Sequence, residues 1–291
     1  MRMAPHPSNE KMRLRLVFLA ALSPTCLGNV GFRDRFNVSF SHTGTWAERL
    51  ARYKTTGAPN VGGWVERLVF HAVDAVQRVH DQLRLNGSMV EIGVHHGKFF
   101  LALDQIRADD ERAFALDLFS AQQELNLDRS GLGDEIAFEA HLRTYSRSPA
   151  STRLVVGDST VLTHDPDLRR AMRPCRLLSL DGGHMRHQAL SDLRLAESVL
   201  VHGGVVFVDD VMKAKWPGVT EAIYAYLREA SSLAPFAYVG GKLLLTTYSM
   251  VHKVRKLYQK YFVTPRGFQS FASTPWSGEF PVWTTVPQGA R

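Results

Sequence analysis

The chain has 291 residues, 45% of them hydrophobic, and a formal net charge of +7. This length suits one large globular domain or two small ones, and no stretch approaches the roughly 20 consecutive apolar residues that a membrane span needs. The positive charge lies at the ends, +3 over residues 1–20 and +6 over residues 242–291, so the body between carries −2. We therefore expect no nucleic-acid footprint over the body and no membrane partner.

The two cysteines exclude a disulfide framework and a zinc-ligand pattern. They are Cys26 and Cys175, and their spacing fits neither arrangement. Cys175 opens an apparent core strand, where cysteine acts as a small apolar side chain. Two cysteines without a disulfide pattern suit a reducing compartment, and we therefore expect a cytoplasmic protein.

The first 60 residues are predicted to form an irregular extension with a short helix near "TWAERLARY". Its segment "KMRLRLVFLAALSPTCLG" resembles a weak secretory signal, because a positive region precedes a short apolar one. A clear small-x-small cleavage site is missing, and ten residues precede Lys11. We therefore prefer a disordered or docked extension to a cleaved signal.

The body of the chain alternates between strand-like and helix-like segments. From Trp64 onward, apolar residues at helical spacing predict an amphipathic helix. The predicted strands that follow are 88–94, 113–119, 152–158, 175–181 and 204–210, and the helices between them are about 97–108, 133–145, 165–172, 187–200 and 218–230. Strict alternation indicates a mostly parallel sheet with helices on both faces.

The last part of the chain is predicted to contain a β-hairpin, a basic helix and an aromatic tail. "FAYVGGKLLLTTY" reads as a hairpin that adds an antiparallel strand, giving a doubly wound, Rossmann-like α/β sheet of seven strands. We assign the main domain to residues 61–248. Residues 249–291 are predicted to be a basic helix, "MVHKVRKLYQKYF", and an aromatic tail. The apolar stripe of this helix is expected to dock on the domain or to pair with another subunit in a homo-oligomer.

Acidic residues follow every predicted strand of the body. In a doubly wound sheet, ligands bind beyond the carboxyl ends of the strands. The acids found there are Glu91, Asp117, Asp158, Asp181 and the pair Asp209–Asp210. The pattern predicts one acidic rim, in which Asp117 is suited to hold a ribose diol, although a single such acid could simply cap a turn.

The loop after the first strand, "VEIGVHHGKF", contains two glycines. Gly93 and Gly97 allow a tight turn and the close approach of a ligand ahead of a helix N-terminus. Their G-x-x-x-G spacing departs from the G-x-G-x-x-G dinucleotide fingerprint, because His95 takes the middle position. His95 and His96 also remain candidates for contact with a substrate.

Taken together, "EIGVHHG", "LDLF", "GDS" and "LDGGH" resemble a class I S-adenosylmethionine-dependent methyltransferase. The resemblance covers about residues 61–248. It implies that the methionine end of the cofactor is lined by Glu91, Gly93 and Gly97. The ribose hydroxyls would be held by Asp117, and the adenine would lie near Asp158 and Ser159. Phe119 is a looser candidate for packing on the adenosine.

The ends of the fourth and fifth strands indicate a metal site. Asp181, Asp209 and Asp210 could converge as oxygen ligands for Mg²⁺. Three carboxylates without a cation would repel one another and raise their pKa values, and the nearest cations in sequence after the pair are Lys213 and Lys215. "LDGGH" with "VDD" resembles the Mg²⁺ site of catechol-type and antibiotic-sugar O-methyltransferases.

The same resemblance implies in-line methyl transfer to a hydroxyl whose pKa the metal lowers and whose proton a base removes. His184, three residues after Asp181, is the predicted base, and Gly182 and Gly183 leave room for a substrate. Catechol enzymes have a lysine at the position of His184, and the "DG-x-H" form resembles cephalosporin hydroxylase-like proteins instead. A capping role for His184, and a turn and N-cap role for the Asp209–Asp210 pair, stay open.

We therefore predict an enzyme that methylates a hydroxyl of a small-molecule acceptor such as a sugar or polyketide. Trp216 and the loop 119–132 are candidate walls of the acceptor site. N-methylation, or a hydroxylase-like role on the same fold, is the alternative, since a nitrogen nucleophile needs no metal. An NAD-dependent oxidoreductase fits the glycine spacing less well, and a non-catalytic scaffold fits the acidic strand ends less well.

Overall fold

The computed structural model describes residues 40–229 and 231–264, together with the backbone of two tail strands, 269–273 and 282–286. The signal-like segment before residue 40 lies outside the described residues. Within the described part of the chain, no helix has both the length and the apolar composition to cross a membrane.

One sheet runs through the molecule. In the described residues it has nine strands, in the order β3-β2-β1-β4-β5-β7-β6-β9-β8. Their bounds are β1 Ser88–Ile92, β2 Ala113–Asp117, β3 Thr152–Val156, β4 Cys175–Leu180, β5 Leu200–Val208, β6 Leu233–Val239, β7 Lys242–Thr247, β8 Gln269–Ser273 and β9 Val282–Val286.

The first seven strands confirm the predicted fold. Strands β1 to β5 are parallel, and β7 runs antiparallel between β5 and β6. The Gly-Gly hairpin therefore joins β6 and β7, as the sequence indicated. The tail strands β9 and β8 extend the sheet beyond β6, which the sequence did not predict.

Helices cover both faces of the sheet. They are α1 Trp46–Arg52, α2 Arg67–Leu83, α3 Lys98–Asp104, α4 Gln122–Leu125, α5 Glu135–Tyr145, α6 Ser159–Leu162, α7 Pro166–Met172, α8 Arg186–Val199, α9 Pro217–Arg228 and α10 Val251–Tyr258. One hydrophobic core joins strand residues to buried residues of α1, α2, α3, α5 and α10, and the other joins strand residues to those of α6, α7, α8 and α9. This two-faced burial explains why the central strands are almost continuously apolar.

The segments on either side of 61–248 pack on the first of these cores. Tyr53, just after α1, is fully buried, and its hydroxyl donates a 2.9 Å hydrogen bond to the carbonyl of Lys98. In α10, Val251, Val254 and Tyr258 are buried against the same core. The proposed limits of the main domain remain a prediction, but these flanking residues share its hydrophobic interior.

Candidate active site

A cleft of about 410 Å³ opens at the carboxyl edge of the sheet. It lies where the strand order reverses direction, between β1 and β4, which is the place where doubly wound sheets bind ligands. The acids at all five strand ends line it, namely Glu91, Asp117, Asp158, Asp181, Asp209 and Asp210. The acidic rim expected from the sequence is therefore a single continuous site.

The two glycines after β1 have different roles. Gly93 has φ +82°, and a Cβ atom there would lie 1.8 Å from the carbonyl oxygen of Asp181. Only glycine allows the ends of β1 and β4 to approach so closely at the floor of the cleft. Gly97 has φ +92°, but its added Cβ would meet the ring of Phe138 at 2.8 Å. Gly97 lies outside the lining of the cleft, so it serves the packing of α3 on α5.

Glu91 lies at the floor of the cleft and is 1% exposed. One carboxylate oxygen, Oε1, accepts a 3.0 Å hydrogen bond from the hydroxyl of Ser179, and the other, Oε2, has no partner among the described residues. Burial raises the pKa of Glu91, although the positive charge of Lys242 opposes this effect. A buried oxygen without a partner is costly, and it fits a ligand that brings a donor to this end of the cleft.

Asp117 connects two loops of the cleft. Its Oδ2 accepts a 2.7 Å hydrogen bond from the backbone N–H of His95, and its Oδ1 accepts from the backbone of Phe119 and the side chain of Gln122. His95 and Phe119 both have positive φ, at 55° and 45°. Asp117 therefore stabilises two unfavourable backbone conformations. Phe119 is buried against Phe138 and does not line the cleft.

Asp158 and Ser159 line the cleft beyond β3. Asp158 is also the N-cap of α6, since its Oδ1 accepts hydrogen bonds from the backbone N–H of Thr160 at 2.8 Å and from the hydroxyl of the same residue at 2.7 Å. Asp158 therefore caps the start of α6 and also lines the cleft.

His184 lies on the other side of β1 from Asp117. Its Nδ1–H donates to Oδ2 of Asp128 at 2.6 Å, and its Nε2–H donates to Oδ2 of Asp210 at 2.7 Å. Burial lowers the pKa of His184, but the hydrogen bonds and charges of the two carboxylates outweigh it, and the net shift is upward. The indole of Trp216 stacks on the imidazole with 3.9 Å between ring centroids. The ring is therefore held in one orientation.

The three acids predicted to bind a metal do not form one ligand group. Asp181, His184 and Asp210 each place one ligand atom within 4.8 Å of the others. Asp209 does not belong to this group, because its Oδ2 accepts a 2.6 Å hydrogen bond from the ammonium of Lys242. Burial beside Asp209 and Asp210 raises the pKa of Asp181 to about 8.

Two lysines bring positive charge to this cluster. Lys242, the first residue of β7, is 1% exposed, lies 3.5 Å from the carboxylate of Asp181, and has its ammonium 4.5 Å from the ring centroid of Phe99. Burial opposes the charged form, yet the neighbouring carboxylates raise the pKa of Lys242. Lys213 forms an ion pair with Asp210. The carboxylates thus have two cationic partners, of which Lys213 is close in sequence and Lys242 is not.

Asp128 and Lys242 are functional candidates that the sequence analysis missed. Asp128 lies in the loop predicted as a substrate wall, and its short Asp-x-Ser turn gave no separate sign of a contact with His184. Lys242 had a weak signal, since a charged residue opens the otherwise apolar run "KLLL" directly after the Gly-Gly turn. Only the pairing of β7 with β5 shows that this side chain lies beside Asp181 and Asp209.

Comparisons with known proteins show a similarity in the central part of the chain. Residues 90–211, from β1 to just beyond β5, match a family model described as a methyltransferase domain. No match was found among curated proteins.

The chain is also similar to solved structures at low identity. The O-methyltransferase NovP is 17% identical, with a TM-score of 0.45 over 62% of this chain and 80% of that chain. The calicheamicin methyltransferase CalS11 is 17% identical, with a TM-score of 0.48 over 76% and 99%. The O-methyltransferase TomG from Streptomyces achromogenes is 14% identical, with a TM-score of 0.45 over 69% and 88%.

The family match spans the part of the sheet that builds the cleft. The strand order 3-2-1-4-5-7-6 with β7 antiparallel agrees with the fold that the resemblance implied. Residues 90–211 are therefore similar to a methyltransferase domain, and the sheet that they help to build has the fold that the class I resemblance implied.

Proposed function

We propose that the protein transfers the methyl group of S-adenosylmethionine to a hydroxyl oxygen of a small molecule. The observation that carries the proposal is the fixed imidazole of His184, held by Asp128 and Asp210 beyond the end of β4. Beside it lies the cofactor half of the cleft, by which we mean the lining residues at the ends of β1, β2 and β3. A proton acceptor next to a methyl donor is the arrangement that hydroxyl methylation requires.

The residues of the cofactor half fit the bound cofactor. We assign the methionine end to Glu91 and Gly93, whose unpartnered oxygen and close backbone approach suit a ligand there. Asp117 can accept ribose hydroxyls while it holds the backbone, because each carboxylate oxygen has two lone pairs. Asp158 and Ser159 are assigned to the adenine end. The cofactor supplies a sulfonium whose methyl carbon is open to attack.

His184 is the proposed base. Asp128 holds the Nδ1–H, so Nε2 is the nitrogen that faces the acceptor end. The step starts from the neutral imidazole, in which Nε2 carries no proton. The acceptor oxygen attacks the methyl carbon, the bond from carbon to sulfur breaks with its electron pair on sulfur, and the hydroxyl proton passes to Nε2. The products are a methyl ether and a neutral thioether.

A divalent cation is proposed to bind Asp181 and Asp210. When bound, it would lower the pKa of the acceptor hydroxyl. Nε2 of His184 is near enough to be a third ligand, but one nitrogen cannot hold a cation and take a proton, so we keep His184 as the base. Asp209, which the sequence placed in this set, is assigned to Lys242 instead.

A second candidate is transfer without a metal, to oxygen or to nitrogen. It is favoured by the charge balance of the cluster, in which Lys242 faces Asp209 and Lys213 faces Asp210. A nitrogen nucleophile with a free lone pair needs no metal to lower a pKa. The two candidates share the cofactor half of the cleft and differ only beyond β4 and β5.

The experiment that tests the proposal has two steps. Calorimetry with S-adenosylhomocysteine should show binding to the wild type and at least a tenfold loss of affinity in Asp117→Ala; unchanged affinity would contradict the cofactor assignment. Methyl transfer from radiolabelled cofactor to a panel of hydroxyl and amine compounds then follows. Loss of transfer in EDTA, with recovery in Mg²⁺ or Mn²⁺, supports the metal-assisted reaction. Turnover that survives both EDTA and Asp210→Asn supports the second candidate.

A further inference from the structure

Asp117, the acid that we assign to the ribose of the cofactor, already accepts three hydrogen bonds within the protein. Its Oδ2 accepts one from the backbone N–H of His95, and its Oδ1 accepts two, from the backbone N–H of Phe119 and the side-chain amide of Gln122. A carboxylate can accept about four hydrogen bonds, roughly two at each oxygen. Among the described residues, these three donors leave one position open, and it lies on Oδ2.

The two hydroxyl groups of a ribose need two such positions, one for each hydrogen bond that they donate. The backbone donors are fixed, because His95 and Phe119 lie in left-handed backbone conformations that their contacts with Asp117 stabilise. Gln122 is different, since its amide belongs to a side chain and can turn away by rotation about single bonds. A ribose that donates both hydroxyls to Asp117 must therefore displace the amide of Gln122.

The space beside Asp117 is also limited. The residue is 4% exposed although it lines the cleft. The loop that follows Gln122 returns to it, because a Cβ atom added at Gly133 would lie 3.3 Å from Oδ1 of Asp117 and 3.2 Å from Nε2 of Gln122. Oδ1 is thus enclosed by its partners and by the loop, and a hydroxyl reaches it only when one of these groups moves.

The amide of Gln122 is held at both ends. While Nε2 donates to Asp117 at 2.9 Å, Oε1 accepts a 3.1 Å hydrogen bond from the backbone N–H of Gly133. Gly131 also approaches this oxygen, since a Cβ atom added there would lie 2.8 Å from Oε1. The reverse orientation would place the amide oxygen against the carboxylate and the amide nitrogen against an N–H donor. Gln122 therefore has one defined orientation, with its donor directed at Asp117.

We propose that Gln122 is a specificity-determining residue of the ribose subsite, whose amide takes the place of one ribose hydroxyl on Asp117 in the free protein and leaves it when the cofactor binds. The inference rests on the proposed function for the assignment of the ribose to Asp117. Its energetic consequence is an exchange, because the complete diol gains a hydrogen bond to the carboxylate and the protein loses the one from Gln122. Gln122 therefore lowers the preference of the site for a complete ribose.

Isothermal titration calorimetry measures this preference without turnover. S-Adenosylhomocysteine is compared with its 2′-deoxy and 3′-deoxy analogues, and the ribose preference is the Kd of the better-binding deoxy analogue divided by the Kd of S-adenosylhomocysteine. An analogue with one hydroxyl uses the open position on Oδ2 and leaves Gln122 in place. In the wild type we therefore expect a ribose preference below about fivefold. A higher preference would overturn the proposal, because it would mean that the diol finds two open positions.

A variant then removes the competing donor. Gln122→Met keeps the length of the side chain, and we expect it to raise the ribose preference about tenfold, because the diol gains a hydrogen bond to a charged acceptor while no other is lost. Gln188→Met is the matched control, since Gln188 also lines the cleft but accepts from the backbone N–H of Met185. This control should keep the wild-type preference. If Gln122→Met also keeps it, even with weaker binding of every ligand, Gln122 only supports the loop and the proposal is overturned.

Asp117→Ala separates a failure of this inference from a failure of the proposed function. If Asp117→Ala binds S-adenosylhomocysteine as tightly as the wild type, the ribose does not lie at Asp117, and both the cofactor assignment and the role of Gln122 are wrong. If Asp117→Ala loses affinity while Gln122→Met keeps the wild-type preference, the cofactor assignment stands and only the role of Gln122 is overturned. Loss of affinity in Asp117→Ala together with a raised preference in Gln122→Met supports both.

Discussion

The imidazole of His184 depends on Asp128 for both its orientation and its charge. The carboxylate accepts Nδ1–H at 2.6 Å, so Nε2 is left to face Asp210 and the cleft. A carboxylate in this position also stabilises the imidazolium that forms when the base takes a proton. In the proposed reaction, Asp128, a loop residue, therefore contributes without contacting the substrate.

Asp128→Asn should lower kcat by roughly 100-fold, because the amide keeps the shape of the side chain but removes the charge that favours the protonated imidazole. The pH at half-maximal kcat should also move down. The measurement is kcat against pH with the hydroxyl compound that turns over in the panel. Asp167→Asn, at an exposed ion pair with Arg170, is the control. A variant with wild-type kcat and pH profile would contradict the role of Asp128.

The pKa of His184 also predicts the pH dependence of the wild type. Its carboxylate partners raise the pKa above the ordinary value of 6.5, and Nε2 must lose its proton before it can act as a base. We expect kcat/KM to rise with pH through an inflection above 6.5. The stabilisation from the ion pairs has the opposite trend: it is present below the unfolded pKa and is lost as pH rises through the folded pKa. An inflection below 6.5 would be inconsistent with this environment.

Gly93 and Gly241 form a matched pair for a stability test. Both have φ +82°, but a Cβ at Gly93 would meet the backbone of Asp181 at 1.8 Å, whereas the nearest atom at Gly241 is 3.7 Å away. Gly241→Ala should cost only the backbone strain, about 1–2 kcal/mol. Gly93→Ala should cost clearly more, or prevent folding. Urea denaturation compares the two, and equal losses would show that the contact with Asp181 is not restrictive.

At the scale of elements, β7 contributes a cation as well as a strand. Lys242 is buried at its start and bonds to Asp209. Lys242→Met should lower the free energy of unfolding by about 3–5 kcal/mol, because it leaves a carboxylate buried without a partner. Adding Asp209→Asn should restore part of the loss. Lys256→Met in α10 is the control and should stay within about 0.5 kcal/mol. If denaturant titrations show that Lys242→Met loses no more free energy of unfolding than this control, the pairing of Lys242 with Asp209 does not stabilise the fold as expected.

The element boundaries show where local sequence signals suffice. Strands β1 to β4 begin at the predicted residues and end one or two residues early, because alternation and apolar runs are local properties. Strand β5 begins at Leu200, four residues earlier than predicted, since "LVHG" pairs with its neighbours despite its polar residues. Helix α3 ends at Asp104 and not at residue 108. Just after this end, the side chain of Arg107 bonds to the carboxylate of Asp104 and to the carbonyl of Glu111.

At the scale of the whole molecule, α10 belongs to the core and not to a free tail. Val254 is fully buried on the face that also holds α2. Val254→Ala should lower the free energy of unfolding by about 1.5–3 kcal/mol, since it removes buried apolar surface. Lys253→Ala, an exposed neighbour, should have little effect. Differential scanning calorimetry makes the comparison, and an unchanged melting temperature in Val254→Ala would mean that α10 does not stabilise the domain.

The sequence by itself determined the α/β alternation, the position of the hairpin and the acids at the strand ends, because each of these follows from residues close together in the chain. It also placed Asp181 and Asp210 in one site, since parallel strands end at one edge of the sheet. The tertiary structure alone decided the pairs within that site. Asp128 with His184 and Lys242 with Asp209 join residues 56 and 33 positions apart. Such contacts depend on the path of a loop and on the register of an antiparallel strand, which no local pattern specifies.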